Sequence, residues 1–563
     1  MKDKLKNIIN NRSLVDYLIL ILITYILILP MYSKKIDIYV DDGVQHIARA
    51  YGTFESIKQG VFLGNIIESF SNNCGYSWNL FYGPLSTYGI IFIKLFCNSF
   101  ITAYKILSFL CLILSGISMY KLVFEITKNK NTALVSSTIY VTFPYHLTDL
   151  YIRNALGEYT SFIFIPLIFL GLYKLFNSKQ KNYYLTIGAV GIILTHNISA
   201  MITTLFALIY VCLNIKKLKN KNILKFLIIN ICFIVAITSF YWIPLIQTKK
   251  MADYHVYEDG AMSTDESVLN HGLLINQFFV TKKDGSFVFE LGPHVIIMLV
   301  FSIMAINLME KNKKEYLFFL FSGFLSLWMS SRYFPWKIMP KIILLIQFPW
   351  RMLTYTAFFF SIVCSINMSM VIKKYNFKDS LIILIICVLY TISLKDFIPY
   401  NDNILDINNY NLGFISGTET IQVIAGEGKG EYLPENAYNN RFYIATRENA
   451  IYVLDGKAII EDENKNGSNF KAKIRTAEED TIFEFPFIYY PGYKVTADGM
   501  NIETFETENG FLGIKLSSNE NVQLEVNYKG TNLMRISLYI SVISLLIFII
   551  FVKQISNKEN ETI

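Results

Sequence analysis

Long apolar runs follow one another along most of the chain, separated by short polar connections. A helix that crosses a bilayer needs about 20 predominantly apolar residues, so the runs predict an all-α membrane domain of about twelve transmembrane helices. The first run lacks a small-residue cleavage site and is too long for the apolar region of a signal peptide, so we expect it to be retained as a span. The predicted spans lie near 14–32, 102–126, 131–146, 158–175, 183–196, 197–214, 223–245, 292–310, 315–330, 348–372, 378–395 and 533–553.

The apolar segment 83–97 is the exception, because Gly83, Pro84 and Lys94 interrupt it. We interpret it as a re-entrant or interfacial helix. With this choice, the Lys-rich connections, such as 128–130, all fall on the side of the basic N-terminus. The positive-inside rule then places both termini in the cytoplasm. A full span at 83–97 would reverse most of these connections.

Residues 396–532 have a different pattern, with short runs of β-forming residues that partly alternate, such as 481–490. Asp498-Gly499 and Asn509-Gly510 lie between such runs and predict tight hairpin turns. We therefore expect a C-terminal extracytoplasmic β-sandwich domain. The predicted organisation is a transmembrane domain with its outer loop, the β-rich domain, and a last helix with a cytoplasmic tail, over 1–395 (loop 33–101), 396–532 and 533–563.

Composition supports the membrane class. The chain is 53% hydrophobic, its mean hydropathy is +0.38, and only 17% of its residues are charged, against about 25% in soluble domains. The net charge of +7 comes with Lys clusters between apolar runs, so no nucleic acid partner is expected. The seven cysteines have neither zinc-binding spacing nor a paired framework, and no disulfide is predicted. Abundant Ile, Asn and Lys are typical of an AT-rich bacterial genome, which favours a bacterial cell membrane.

The histidines are distributed unevenly. All six lie in or beside the connections that are predicted to be extracytoplasmic, whereas a random scatter would place several on the other side. This asymmetry indicates that chemistry or recognition takes place on the outer face. The six are His46, His146, His196, His255, His271 and His294.

The first outer loop contains the segment 40–46 (VDDGVQH), with Asp41, Asp42 and His46 as candidate catalytic residues. On a helix, His46 would share a face with Asp42. A carboxylate here could act as general base toward an acceptor hydroxyl, or bind a divalent metal together with His46. Alternatively, Asp41 or Asp42 caps a helix that begins at Gly43. No metal motif is present and no cofactor is required.

The connection around 145–158 places Arg153 and Glu158 at the mouth of a span. Arginine suits bidentate phosphate binding, which makes Arg153 a candidate phosphate ligand. The alternative is a structural ion pair with Asp149 or Glu158.

His196 lies at a helix-to-helix turn at the membrane edge, where a polar residue is costly unless satisfied. It is a site candidate, or alternatively a histidine that hydrogen-bonds the turn backbone.

The segment 347–351 (QFPWR) begins a late span. Pro349 interrupts the preceding helix, and Trp350 is a typical interfacial anchor. Arg351 lies at the positive end of the helix dipole, which disfavours a cation and favours an anion. A lipid phosphate bound beside Arg351 would resolve this conflict, and Lys337 would add to the attraction; the alternative is snorkelling to headgroups. Gln347 and Trp350 are further site candidates.

In their order along nearly the whole chain, these segments resemble a group of bacterial membrane proteins described as 6-pyruvoyl-tetrahydropterin synthase-related. They also resemble the larger YfhO-type proteins and the GT-C glycosyltransferases. The resemblance implies a GT-C-like transmembrane domain, and it does not imply pterin chemistry. The matching segments are 41–46, 81–85 (FYGPL), 153–158 (RNALGE), 195–197 (THN), 239–244 (SFYWIP), 347–351 (QFPWR) and 489–495 (YYPGYKV).

GT-C enzymes use polyprenyl-phosphate sugars and take an acidic residue of the first outer loop as base. The resemblance therefore implies Asp41 or Asp42 as base, with Arg153 and Arg351 holding the donor phosphate. We expect a glycosyltransferase that moves a sugar from undecaprenyl phosphate to an extracytoplasmic glycan or polymer, surrounded by membrane lipids. The alternative is a non-enzymatic transporter or scaffold in lipid-linked glycan and cell-envelope assembly. A transporter should carry midplane polar residues and repeat symmetry, and the sequence displays neither.

Overall fold

The computed structural model describes residues 12–32, 42–178, 181–257, 265–279, 288–309, 312–375, 430–477, 480–516 and 519–560. The predicted span 378–395 and the candidate Asp41 lie outside the described residues. Helices make up the first part of the chain and strands follow, so a mostly helical protein with a C-terminal β-sheet region is confirmed. The helices are α1 Arg12–Ile28, α2 Gly43–Lys58, α3 Trp78–Phe81, α4 Leu85–Lys94, α5 Phe100–Thr127, α6 Lys130–Val141, α7 Pro144–Tyr151, α8 Leu156–Tyr173, α9 Tyr184–Ile193, α10 Asn197–Leu213, α11 Lys221–Ile237, α12 Ser239–Met251, α13 Asp265–Asn270, α14 Pro293–Val300, α15 Ser302–Leu308, α16 Lys313–Met329, α17 Lys341–Leu344, α18 Leu353–Tyr375, α19 Glu435–Asn439, α20 Arg441–Thr446 and α21 Asn532–Asn560.

Among the described residues, five helical segments are long and apolar enough to cross a membrane. A sixth is added if α11 and α12, which meet at 62°, form one broken span. The remaining apolar helices are shorter, so the twelve predicted spans stay a prediction. The five segments are Ser13–Tyr32, Phe100–Thr127, Leu156–Ser178, Pro349–Lys373 and Asn532–Ile555.

The interrupted segment 83–97 forms α4, a helix of 10 residues, which is about half the length that a bilayer span needs. Gly83 is required at its start, because a Cβ there would lie 2.6 Å from the Leu194 carbonyl. The aromatic side chains at its far end, Phe92 and Phe96, are exposed. A short helix with an apolar exposed tip fits the interfacial or re-entrant prediction.

The helical core is aromatic. α8 packs against α5 and α9, and α18 packs against α16 and α6. Phe169 of α8 meets Phe358 of α18 with ring centroids 5.1 Å apart, and Phe318 of α16 lies 6.0 Å from Phe169. Buried aromatic pairs of this kind add to the dispersion energy of packing, where lipid removes the usual hydrophobic drive between helices. This packing fixes the neighbouring helix ends relative to one another.

The C-terminal region forms two antiparallel sheets, with strand orders β1-β4-β8-β7 and β2-β3-β9-β5-β6. The sheets share one core, in which Phe470 contacts Phe485 with centroids 5.7 Å apart. Asp498 and Gly499 both have positive φ and make the two-residue turn between β5 and β6, as the sequence predicted. The strands are β1 Tyr452–Asp455, β2 Ala458–Asn466, β3 Asn469–Ala477, β4 Thr481–Ile488, β5 Tyr493–Ala497, β6 Met500–Ile502, β7 Thr504–Glu506, β8 Phe511–Leu516 and β9 Asn519–Tyr528.

A segment of the first loop, residues 65–77, docks on the sheets; we call it the docking hairpin. An antiparallel bridge between Ile67 and Tyr76 closes it. Its backbone and side chains bond the β region directly: the Ile488 amide donates to the Cys74 carbonyl at 2.9 Å, and the Ser468 amide donates to Glu68 Oε1 at 2.6 Å. The hairpin therefore connects α2 to the sheets, although the sequence separates them by several hundred residues.

Candidate functional site

The N-terminus of α8 carries a buried ion network centred on Glu158. The Glu158 side chain is 2% exposed and lies in the first turn of α8, where the helix dipole favours a carboxylate. Arg153 Nη1 donates to its Oε2 at 2.8 Å. The hydroxyls of Tyr145 and Thr354 donate to its Oε1 at 3.0 and 3.1 Å. Arg351 Nε lies 3.4 Å from its Oε2. The carboxylate thus joins four segments of the bundle.

Arg153 is neutralised within the protein. Its Nη1 also donates to Asp149 Oδ1 at 2.7 Å and to the hydroxyl oxygen of Tyr145 at 3.0 Å. The ion pair with Asp149 and Glu158, which the sequence offered as the alternative to phosphate binding, is the arrangement found. A role of Arg153 in phosphate binding stays a prediction.

Arg351 lies in a 3₁₀ turn, Pro349–Met352, that leads directly into α18. Its Nη1 donates to the Ile346 carbonyl at 2.9 Å and to Gln347 Oε1 at 2.8 Å. Its guanidinium lies over the Phe348 ring at 4.9 Å. Glu158 therefore compensates the cation at this helix start, so an external phosphate is not needed to hold Arg351 in place.

Asp42 occupies the N-cap position of α2, but its side chain makes no capping hydrogen bond to the described helix. Asp42 therefore occupies the position that the capping alternative predicted, but its side chain does not make the capping hydrogen bond. The Asp42 amide donates to the Arg153 carbonyl at 3.0 Å, which fixes the start of α2 beside the ion network. The Asp42 side chain is half-buried, and its role as a base stays a prediction.

His46 follows Asp42 one turn later and is 6% exposed. Burial lowers the pKa of His46 to about 4, although the nearby Asp42 opposes this shift and Arg49 adds to it. The imidazole is therefore neutral at physiological pH, so it can donate or accept a hydrogen bond without carrying charge. Its ring lies 6.2 Å from that of Tyr82, centroid to centroid.

His196 is the N-cap residue of α10. Its Nδ1 accepts from the Ser199 amide at 3.3 Å and pairs with the Ser199 hydroxyl at 2.8 Å. The backbone-bonding alternative is thus the arrangement found, and it leaves Nε2 as the nitrogen that carries the proton. The His196 ring also lies 5.9 Å from that of Tyr82, so His196 borders the same region as His46.

Two residues that the sequence did not single out as site candidates complete this region. Tyr82 stands between the two histidines, with its hydroxyl against Gly157. Burial raises the pKa of Tyr82; Asp42 raises it further, whereas Arg49 and Arg351 lower it. The segment 81–85 gave the only signal for Tyr82, since it was one of the matching segments. Arg49 could have been identified from its position on the same helix face as Asp42 and His46.

These groups form one buried region at the helix ends, which we call the polar centre. Lys337 is not part of it: Lys337 is exposed in the turn Trp336–Ile338, and none of the described contacts joins it to the polar centre. The Trp350 ring stacks on the Phe348 ring with centroids 4.7 Å apart, and the Arg351 guanidinium of the polar centre lies over that same Phe348 ring. The polar centre consists of Asp42, His46, Arg49, Tyr82, Asp149, Arg153, Glu158, His196 and Arg351.

Within the described residues, no group of three or more His, Cys, Asp and Glu side chains is placed to hold a metal ion. The charged groups of the polar centre are instead arginines and carboxylates. Such a set can bind anionic oxygens, orient hydroxyl groups and accept a proton at Asp42.

Apolar helices and a buried polar centre at their ends define this protein as a membrane protein with a candidate site at one end of the helical region. The sequence profile of a known family matches residues 80–401, which is more than half of the chain. The protein belongs to this family, the 6-pyruvoyl-tetrahydropterin synthase related domain, a family of membrane proteins. The matched region includes Tyr82, Glu158 and Arg351, and begins after Asp42.

The chain is also similar to an uncharacterized protein of Lactococcus lactis subsp. cremoris (strain MG1363). The two are 25% identical over 339 residues, which are 57% of this chain and 54% of the relative. The chain thus spans about half the length of the curated relative that it matches. The family match supports the membrane class, and the predicted GT-C and YfhO-type relationships stay predictions.

Proposed function

We propose that the protein is a glycosyltransferase of the bacterial cell membrane that moves a sugar from a polyprenyl phosphate to an extracytoplasmic glycan or polymer. One observation carries the proposal. Asp42, Tyr82 and Arg351 come from distant parts of the chain and still meet in one polar centre. A purely structural ion network would not require an uncapped, half-buried carboxylate at its edge.

In the proposed reaction, Asp42 accepts the proton of the acceptor hydroxyl, which makes the oxygen a better nucleophile. This oxygen forms a bond to C1 of the sugar while the bond from C1 to the donor phosphate breaks. The electron pair leaves with the phosphate oxygen, and configuration at C1 is inverted. Because the leaving group is polyprenyl phosphate, a phosphate monoester that carries the negative charge well, no strong general acid is needed. The neutral His46 holds the acceptor by hydrogen bonding.

The proposed orientation follows the Lys-rich connections. Both termini are cytoplasmic, and the polar centre and the β sheets face outward, where a lipid-linked sugar can enter between helices. The docking hairpin supports this part of the proposal, because it bonds the sheets to the segment that follows α2. We therefore place the sheets and the polar centre on the same side of the membrane.

A second candidate is a non-catalytic scaffold or transporter in lipid-linked glycan assembly. The observation that favours it is the internal neutralisation of Arg153 and Glu158, which already satisfy each other without a ligand. A scaffold needs such a network only to hold its helices together.

Transfer assays separate the two candidates. The full-length protein is reconstituted in proteoliposomes with a panel of polyprenyl-phosphate sugars and glycan acceptors. We expect transfer by the wild type, and a loss of about 100-fold or more in rate for Asp42→Asn, since a general base contributes about 10²–10⁴-fold. Asp455→Asn, at the exposed C-terminal end of β1, is the matched control.

Three outcomes contradict the proposal or part of it. Transfer by Asp42→Asn at the wild-type rate refutes Asp42 as base. If Asp41→Asn loses activity instead, the base is the neighbouring carboxylate. If the wild type transfers sugar from no donor in the panel, the scaffold is favoured over the enzyme.

A further inference from the structure

Arg49 is a buried cation whose charge no carboxylate of the described chain balances. Its side chain lies on α2, two turns after Asp42, and the residue is 0% exposed. Nε donates to Asn79 Oδ1 at 2.8 Å, and Nη2 donates to the Tyr82 and Gly83 carbonyls at 2.8 and 3.4 Å. All three acceptors are neutral groups.

The remaining nitrogen of Arg49, Nη1, is buried and has no hydrogen-bond partner in the described structure. A buried donor without a partner is unfavourable, and more so when it belongs to an ion. The rings of Trp78 and Tyr82 cover the guanidinium at 5.7 and 4.8 Å, and both rings are half-buried. Burial lowers the pKa of Arg49 to about 10.

The other two arginines of the polar centre are different. Arg153 touches two carboxylates at 2.7 and 2.8 Å, and Arg351 lies 3.4 Å from one of them. Both of these cations therefore have a carboxylate partner within 3.4 Å, whereas Arg49 has none among the described residues. An anion that enters the polar centre therefore gains most from the cation that has no carboxylate.

We propose that Arg49 is the anion-binding residue of the polar centre, and that its free Nη1 binds an oxygen of a phosphate group. The phosphate belongs either to a lipid headgroup or to a free phosphate, and it reaches Nη1 by displacing the ring of Trp78 or Tyr82. The choice of phosphate over other anions rests on the proposed function. The assignment moves the phosphate contact to Arg49 from Arg153 and Arg351, to which the sequence analysis had assigned it.

Ligand-induced stabilisation tests the proposal on the full-length protein in detergent. A ligand that binds only the folded state raises its stability as ligand concentration rises. The probes are inorganic phosphate and a short-chain polyprenyl phosphate, each compared with chloride at equal ionic strength or with the unphosphorylated polyprenol. We expect the wild type to be stabilised by at least one probe. Stabilisation by the lipid alone identifies a headgroup site, and stabilisation by both identifies a general phosphate site.

Three variants locate the contact. Arg49→Gln should raise the half-saturating concentration about 10- to 100-fold, which is the loss expected for one hydrogen bond to a charged group. Arg49→Lys keeps the charge and loses the planar fork, so an intermediate loss is expected. Asn79→Asp places a carboxylate against Nε and should weaken binding without removing the arginine. Arg447→Lys, at a buried arginine that pairs with Glu484, is the matched control.

The proposal is overturned if no probe stabilises the wild type, or if Arg49→Gln and Asn79→Asp respond like the wild type. Should Arg49→Gln fail to fold, Arg49→Lys and Asn79→Asp decide the question. If the wild type binds phosphate but transfers no sugar, the proposed function is refuted, whereas the anion site at Arg49 is supported. If Arg49→Gln transfers sugar with an unchanged rate and KM, the anion site at Arg49 is refuted, whereas the transferase function is supported.

Discussion

The carboxylate of Glu158 should be the most sensitive position of the helical region to a charge-only substitution. Glu158→Gln keeps the volume of the side chain and one acceptor oxygen, so no cavity is created. It removes the negative charge that Arg153 contacts at 2.8 Å and Arg351 at 3.4 Å. The hydroxyls of Tyr145 and Thr354 can turn to accept from the new amide, so neutral bonds are largely retained.

The magnitude follows from burial. Glu158 and Arg153 are 2% and 5% exposed as side chains, so water cannot replace the lost partner. Breaking a buried ion pair by removing one charge costs about 3–5 kcal/mol, because the other charge is left buried and uncompensated. Asp149 still contacts Arg153, which places the expected loss toward about 3 kcal/mol. An exposed ion pair contributes about 0–1 kcal/mol.

The measurement is the free energy of unfolding in mixed micelles titrated with SDS, for the wild type and Glu158→Gln. Glu461→Gln is the matched control, because Glu461 pairs with Arg475 at 3.4 Å on the exposed face of the sheets. We expect a loss of about 3 kcal/mol for the buried site and under about 1 kcal/mol for the control. Equal losses at the two sites would refute the view that the network stabilises the helix ends.

Three further predictions concern other parts of the structure. Because burial holds the pKa of His46 at about 4 in the fold, against about 6.5 when unfolded, the unfolded state takes up the proton first. Stability should therefore fall as pH drops from about 6.5 toward about 4, and the pH dependence of Tm should be flatter in His46→Gln. Gly157→Ala places a Cβ 2.1 Å from the Tyr82 hydroxyl, so transfer activity should fall, and adding Tyr82→Phe should restore part of it. Gly510→Ala should lower Tm more than Gly499→Ala: both have φ near +80°, but only Gly510 lacks room for a Cβ. An equal loss would mean that backbone strain alone matters.

The sequence predicted local features well, because they depend on neighbours in the chain. The helix that begins at Gly43, the short helix in 83–97 and the turn at Asp498-Gly499 all follow from residues within one or two turns. The candidate site was recognised in part for the same reason. Asp42, His46 and Arg351 lie at helix starts that local signals mark.

The sequence did not predict how these positions combine. Whether Arg153 binds a ligand or an internal carboxylate depends on where α7, α8 and α18 meet, and that is set by packing across the bundle. Arg49 was missed because its lack of a carboxylate partner is a property of the folded surroundings. The docking hairpin was missed because Ser71, Asn72 and Asn73 adopt a left-handed backbone that neither pattern nor propensity indicates.

The docking hairpin has a consequence for how the protein is made. Asn72 donates to carbonyls of residues 444 and 447, and Ser468 bonds Glu68, a partner 400 positions earlier. Ribosomes add about 5–20 residues per second, so the first loop waits for some tens of seconds before its partners exist. During that interval the face of the hairpin that packs on the sheets has no partner from the β region. Biogenesis of this protein therefore ends with its N-terminal loop, and a chain that stops before the sheets leaves that loop unfinished.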